Sequence, residues 1–108
     1  MPLHPKAPKD LALAPLAAGI DLNLQRLRDK QPSEIAYELA LELDTDENPL
    51  STPQERAERV LQVALRDVDL HHWDAAITGD FARLRLSGGS VSLDLGLSAS
   101  ILAYIRGD

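Results

Sequence analysis

The chain has 108 residues, the length of one domain, and a formal net charge of −6. It has no cysteine, which excludes disulfides, thiolate zinc sites and thiol nucleophiles and fits a reducing compartment such as the cytoplasm. The acidity argues against nonspecific nucleic-acid binding, which relies on Lys and Arg replacing counterions at phosphates, and no apolar run is long enough to span a bilayer.

The charge is unevenly spread. Met1–Gln31 has five basic and three acidic residues, and Arg56–Asp108 has six and seven. Pro32–Glu55 carries seven carboxylates and neither Lys nor Arg, so the deficit is concentrated there. Heavy use of Leu, Ala, Arg and Asp suggests a bacterial, GC-rich genome.

In chain order, residues 1–12 read as a Pro-rich flexible tail and residues 13–108 as a single domain. Pro2, Pro5 and Pro8 each lack a backbone donor, and the Pro and charge of Met1–Asp10 argue against a signal peptide. Pro15 suits the first position of a helix in which Leu16, Ile20, Leu24 and Leu27 recur at helical spacing. Pro32 is expected to end that helix, and Ser33 to cap the next, with Glu34 in its first turn.

Ile35, Tyr37, Leu39, Leu41 and Leu43 alternate as in a strand, but Glu, Ala and Leu are strong helix formers, and the cap favours a helix. Asp44–Leu50 reads as a loop. Thr52, Pro53 and Glu55 then form the strongest helix start in the chain, a capping box with Pro in the first turn. Val60, Leu61, Ala64, Leu65 and Val68 give that helix its apolar face, ending at about Arg66–Val68.

The last third changes period from 3.6 to 2. Two-residue loops at Gly79-Asp80 and Gly88-Gly89 predict three strands, His71–Thr78, Phe81–Ser87 and Ser90–Gly96. In this register Leu84 faces Leu93, Leu86 faces Val91, Trp73 faces Leu86, Arg83 meets Asp94 and Arg85 meets Asp74. Ser98 caps a final helix closed by Arg106 and Gly107. The fold expected is α+β: three N-terminal helices, a three-stranded antiparallel meander, and a C-terminal helix packed on one sheet face.

Two constellations point to function. Glu34, Glu38 and Glu42 recur every four residues and form one ridge on a helix, where like charges repel by a few tenths of a kcal/mol per pair. With Asp44, Asp46 and Glu47 they make an acidic face suited to a basic protein partner, or simply to solvent.

Asp44, Asp46, Asn48 and Glu55 carry oxygen at alternating positions of a twelve-residue window between two helices, which resembles an EF-hand calcium loop. The resemblance is confined to that window. Pro49 stands where such a loop turns on glycine, and Ser51 where it carries a branched apolar residue. Turn chemistry plus the Thr52–Glu55 capping box explains the same residues without an ion.

Other chemistry is sparse. On a strand His71 and His72 would point to opposite faces and could not chelate one ion together. Phe81, Arg83, Arg85 and His72 on one sheet face would suit single-stranded RNA, but the expected Arg–Asp pairs make them ordinary sheet contacts. No phosphate loop, nucleophile elbow, zinc-helix motif or dinucleotide fingerprint occurs.

The expectation is a cytoplasmic, non-catalytic protein-interaction module with no cofactor, no nucleic acid and no membrane partner. Calcium binding at residues 44–55 is the alternative. Its oligomeric state is left open, since a meander has two free edges.

Overall fold

The computed structural model describes residues 8–45 and 51–107. Its elements are α1 (Pro8–Gln25), α2 (Pro32–Glu42), α3 (Pro53–Ala64), β1 (Asp74–Ile77), β2 (Arg83–Gly88), β3 (Val91–Gly96) and α4 (Ala99–Arg106). The order is α-α-α-β-β-β-α. The three strands form one antiparallel meander with β2 at its centre.

One core holds the fold together. Leu16, Ile20, Leu24 and Leu27 from the first helical region join Ile35 and Leu39 of α2 and Val60 and Val63 of α3. Leu84 and Leu86 of β2 enter the same cluster, as do Ile101, Tyr104 and Ile105 of α4. The helices therefore cover the sheet face that bears the β2 leucines. Each large aliphatic side chain fully withdrawn from water contributes roughly 1.5–3 kcal/mol.

Local chemistry sets the helix ends. Thr52 caps α3 by accepting the Glu55 N–H at 3.2 Å, and the Glu55 carboxylate reaches back to the Thr52 N–H at 3.5 Å. Ser98 caps α4 in the same way, accepting from the Ile101 N–H, and Gly107 closes that helix at φ 81°. Both caps match expectation. Arg56 ties the two helices together, its Nε donating to the Ile105 carbonyl at 2.9 Å and Nη1 to the Ser51 carbonyl.

Two helix starts differ from the sequence reading. Helix α1 begins at Pro8, with Pro15 inside it; the advantage of proline at a first helical position is realised one proline earlier. Helix α2 begins at Pro32 with Gln31 as its N-cap and no side-chain cap, so Pro32 opens a helix instead of closing one, and Ser33 is not a cap. The segment 35–43 is helical through Glu42, as expected.

Both hairpins also differ, each by two residues. Leu84 faces Leu95, Leu86 faces Leu93, Gly88 faces Val91 and Arg85 faces Asp94. Between β1 and β2, Ile77 faces Leu84 and Ala75 faces Leu86, while Asp74 faces Ser87. Leu84 and Leu93 are thus diagonal neighbours, and the expected Arg83–Asp94 and Arg85–Asp74 pairs are replaced by Arg85–Asp94. Because side chains alternate with period two, a two-residue shift leaves the residues within β1, β2 and β3 on their expected faces.

The turns explain the shift. Gly89, at φ 65°, and Ser90 make the β2–β3 loop, with the positive φ at the first central position. Gly88 stays in the strand, paired with Val91, and Trp73 lies against it: a Cβ there would stand 2.7 Å from the indole Cε3. The β1–β2 connection is longer than two residues, since the Thr78 N–H bonds to the Arg83 carbonyl. Asp80 organises it, accepting from Thr78 Oγ1 at 2.5 Å and the Ala82 N–H at 3.1 Å, with Phe81 at φ 61°.

Candidate interaction surface

Successive helical residues turn by about 100°, so Ile35 and Leu39 share one side of α2 while Tyr37 and Leu41 share the opposite one. The first pair is buried. The second stands 60% and 62% exposed on consecutive turns. Glu34 and Glu38 run beside it, on the flank that turns toward Ile35. Glu34 is exposed in the first turn, where the helix dipole favours a carboxylate.

The rest of the acidic ridge is partly neutralised within the chain. Glu38 lies 3.5 Å from Lys30 Nζ. Glu42 is bridged by Arg26 and Arg66, and its side chain is only 13% exposed. A carboxylate at the last position of a helix faces the dipole's negative end, and the two guanidinium groups offset that cost. Glu42 thus fastens α2 to the segments following α1 and α3, turned away from the exposed stripe.

Asp44 ends α2 in a left-handed conformation at φ 52°, allowing the Thr45 N–H to reach the Ala40 carbonyl at 3.0 Å. Its side chain is exposed. Asp46, Glu47 and Asn48 lie outside the described residues. Of the expected calcium ligands, Asp44 and Glu55 are therefore the two that can be placed. Glu55 Oε1 is engaged by the Thr52 N–H and, at 3.2 Å, by Thr52 Oγ1. Among the described residues no group of three His, Asp or Glu side chains is arranged to hold a metal ion.

Tyr37 and Leu41 were not among the residues the sequence singles out, yet their signal is legible there. An apolar residue at every second position of a helix must put some of its members on the outside. Alternation that looks like a strand becomes, once helical, a buried pair and an exposed pair.

The remaining candidates are dispersed. His71 and His72 sit on a turn before β1, not within a strand, with ring centroids 4.2 Å apart in an edge-on arrangement. Phe81 packs against the core, so it does not share the outer sheet face with Arg83 and Arg85. On that face Arg85 holds Asp94 through Nε at 2.9 Å and Nη2 at 3.4 Å. The hydrogen bond from Arg85 holds the Asp94 carboxyl below its ordinary range, and the bond from Thr78 does the same for Asp80. An open depression between α1 and the turn after α3 is lined by Pro15, Leu16, Gly19, Asp67, Val68 and Asp69. No helix among the described residues is long and apolar enough to cross a membrane.

Compared with protein-family models, with curated proteins and with solved structures, the chain matches none.

Proposed function

We propose that this protein acts by noncovalent contact with another protein, through the outward side of α2 and the turn that follows it. Tyr37 and Leu41 form the apolar centre. Glu34, Glu38 and Asp44 supply carboxylates around them, and Asp46 and Glu47 extend the acidic character along the chain. A partner with basic side chains flanking an apolar ridge complements this surface, and the absence of cysteine suits such a role in the bacterial cytoplasm.

The observation that carries the reading is the exposure of two large apolar side chains on consecutive turns of one helix. Isolated exposed apolar residues are common, but a tyrosine and a leucine stacked one turn apart beside carboxylates have the makeup of a small interface centre with a polar rim. Glu42 contributes by holding α2 in place.

The test is comparative capture. Immobilised wild-type protein, a Tyr37→Ser/Leu41→Ser variant and a Glu34→Lys/Glu38→Lys variant would be exposed to the same extract at low and high salt. The reading expects one set of proteins to be retained by wild type, lost with either variant, and weakened by salt. Retention unchanged by both variants would end it.

A further inference from the structure

We propose that β3 is the pairing edge of a symmetric dimer, in which two copies join their meanders into one six-stranded sheet. The backbone groups of β3 that have no partner among the described residues follow from its register. The Leu97 N–H bonds to the Ala82 carbonyl at 2.9 Å. In an antiparallel ladder, pairs that exchange hydrogen bonds alternate with pairs that do not. Leu95, Leu93 and Val91 therefore address β2, while Ser92, Asp94 and Gly96 turn N–H and C=O toward the open side. All three of the latter are exposed.

Sheet edges left unused are ordinarily shortened, bulged or guarded by Lys or Pro. The β1 edge is short, at four residues. The β3 edge has six residues in unbroken register with β2 and contains no Lys, Arg or Pro. Its one charge, Asp94, is paired with Arg85. On the core side Val91, Leu93 and Leu95 are only half-buried, although the β2 leucines behind them are fully buried. An added strand would extend that burial along their flank.

Two-fold axes at Leu93 or Asp94 pair five residues of β3 with a second copy, an axis at Ser92 only three, and of the two longer registers the edge fits one. With the two-fold axis at Leu93, that residue meets the partner's Leu93, Val91 meets the partner's Leu95, and Ser92 meets the partner's Asp94. The outward-facing backbone groups of Ser92 and Asp94 then fall on the hydrogen-bonded pairs. Moving the axis to Asp94 would place two carboxylates face to face, and a shift that sets odd positions against even ones would mismatch the two faces.

Sedimentation equilibrium from micromolar to millimolar protein tests the proposal. Wild type should shift toward twice the monomer mass of 11.8 kDa. Ser92→Glu sets a carboxylate against the partner's Asp94 at both symmetric pairs and should weaken association about tenfold, whereas Ser92→Lys should strengthen it. Ser92→Pro removes an N–H that makes no bond to β2 and should leave a folded monomer. Should that variant fail to fold, the Glu and Lys variants still decide, because residue 92 is exposed. A wild type that stays monomeric throughout, or a dimer indifferent to the charge at position 92, overturns the proposal. Variants at Tyr37 and Leu41 lie on a different element and leave dimerisation unchanged, so the two readings stand or fall separately.

Discussion

Glu42, the last residue of α2, forms an ion pair with Arg66 in the turn that follows α3. Arg26 approaches the same carboxylate from beyond α1. One acidic side chain thus joins three helical segments that are far apart in the chain, at the helix end where a lone carboxylate would be unfavourable. Replacing it by Glu42→Gln should cost about 1 kcal/mol in urea unfolding, more than an isolated surface pair contributes, because two guanidinium partners are lost together. Glu34→Gln, which has a favourable dipole but no such bridge, should cost at most about 0.5 kcal/mol. Equal losses for the two variants would show that the bridge is not what distinguishes Glu42.

Gly88 is required by the indole of Trp73, not by a turn. A methyl group there would stand 2.7 Å from Cε3 and 2.9 Å from Cζ3. Gly88→Ala should therefore destabilise by about 1–3 kcal/mol, as for overpacking elsewhere in protein interiors. Trp73 is the only tryptophan, so its emission should report the displacement directly. Unchanged emission and stability would contradict this packing.

Acid sensitivity should arise partly at Asp80 and Asp94. Each carboxyl is held below its ordinary range by hydrogen bonds, from Thr78 and the Ala82 N–H for Asp80 and from Arg85 for Asp94. A carboxyl whose folded pKa is depressed stabilises the fold above its unfolded pKa, and that contribution is lost as pH falls through the folded value. Melting temperature should thus drop below the usual carboxylate range. Asp80→Asn and Asp94→Asn should each be less stable near neutrality and show a flatter acid limb. A limb as steep as wild type in both variants would assign the acid sensitivity elsewhere.

Calcium should not bind the segment between α2 and α3. The Glu55 carboxylate is committed to the capping box with Thr52, and Pro49 stands where an EF-hand loop turns on glycine. Amide resonances of residues 44–55 should stay in place as calcium is raised to millimolar levels. A saturable shift confined to these residues would revive the calcium reading.

The element order was legible in the chain itself because it rests on local physics. Thr52 and Ser98 cap helices through hydrogen bonds that span three residues, and apolar periodicity separates the helical part from the meander. The inward face of each strand was readable for the same reason. The strand register was not. A slip of two residues keeps Leu84 and Leu86 on the core face, so patterning alone cannot distinguish the two alignments.

Turn geometry and one cross-strand contact accompany the observed register. Asp80 closes a longer β1–β2 turn through bonds to Thr78 and Ala82 two residues away, and Trp73 lies across from Gly88, leaving no room there for a side chain. Long-range contact sorted the acidic ridge. Three glutamates evenly spaced along α2 look equivalent in sequence, but Arg26 and Arg66 reach only the last, because folding brings the ends of α1 and α3 to that end of the helix. The sequence by itself determined which residues are apolar or charged and where α3 and α4 are capped. The packing of helices against one another determined which of them face water.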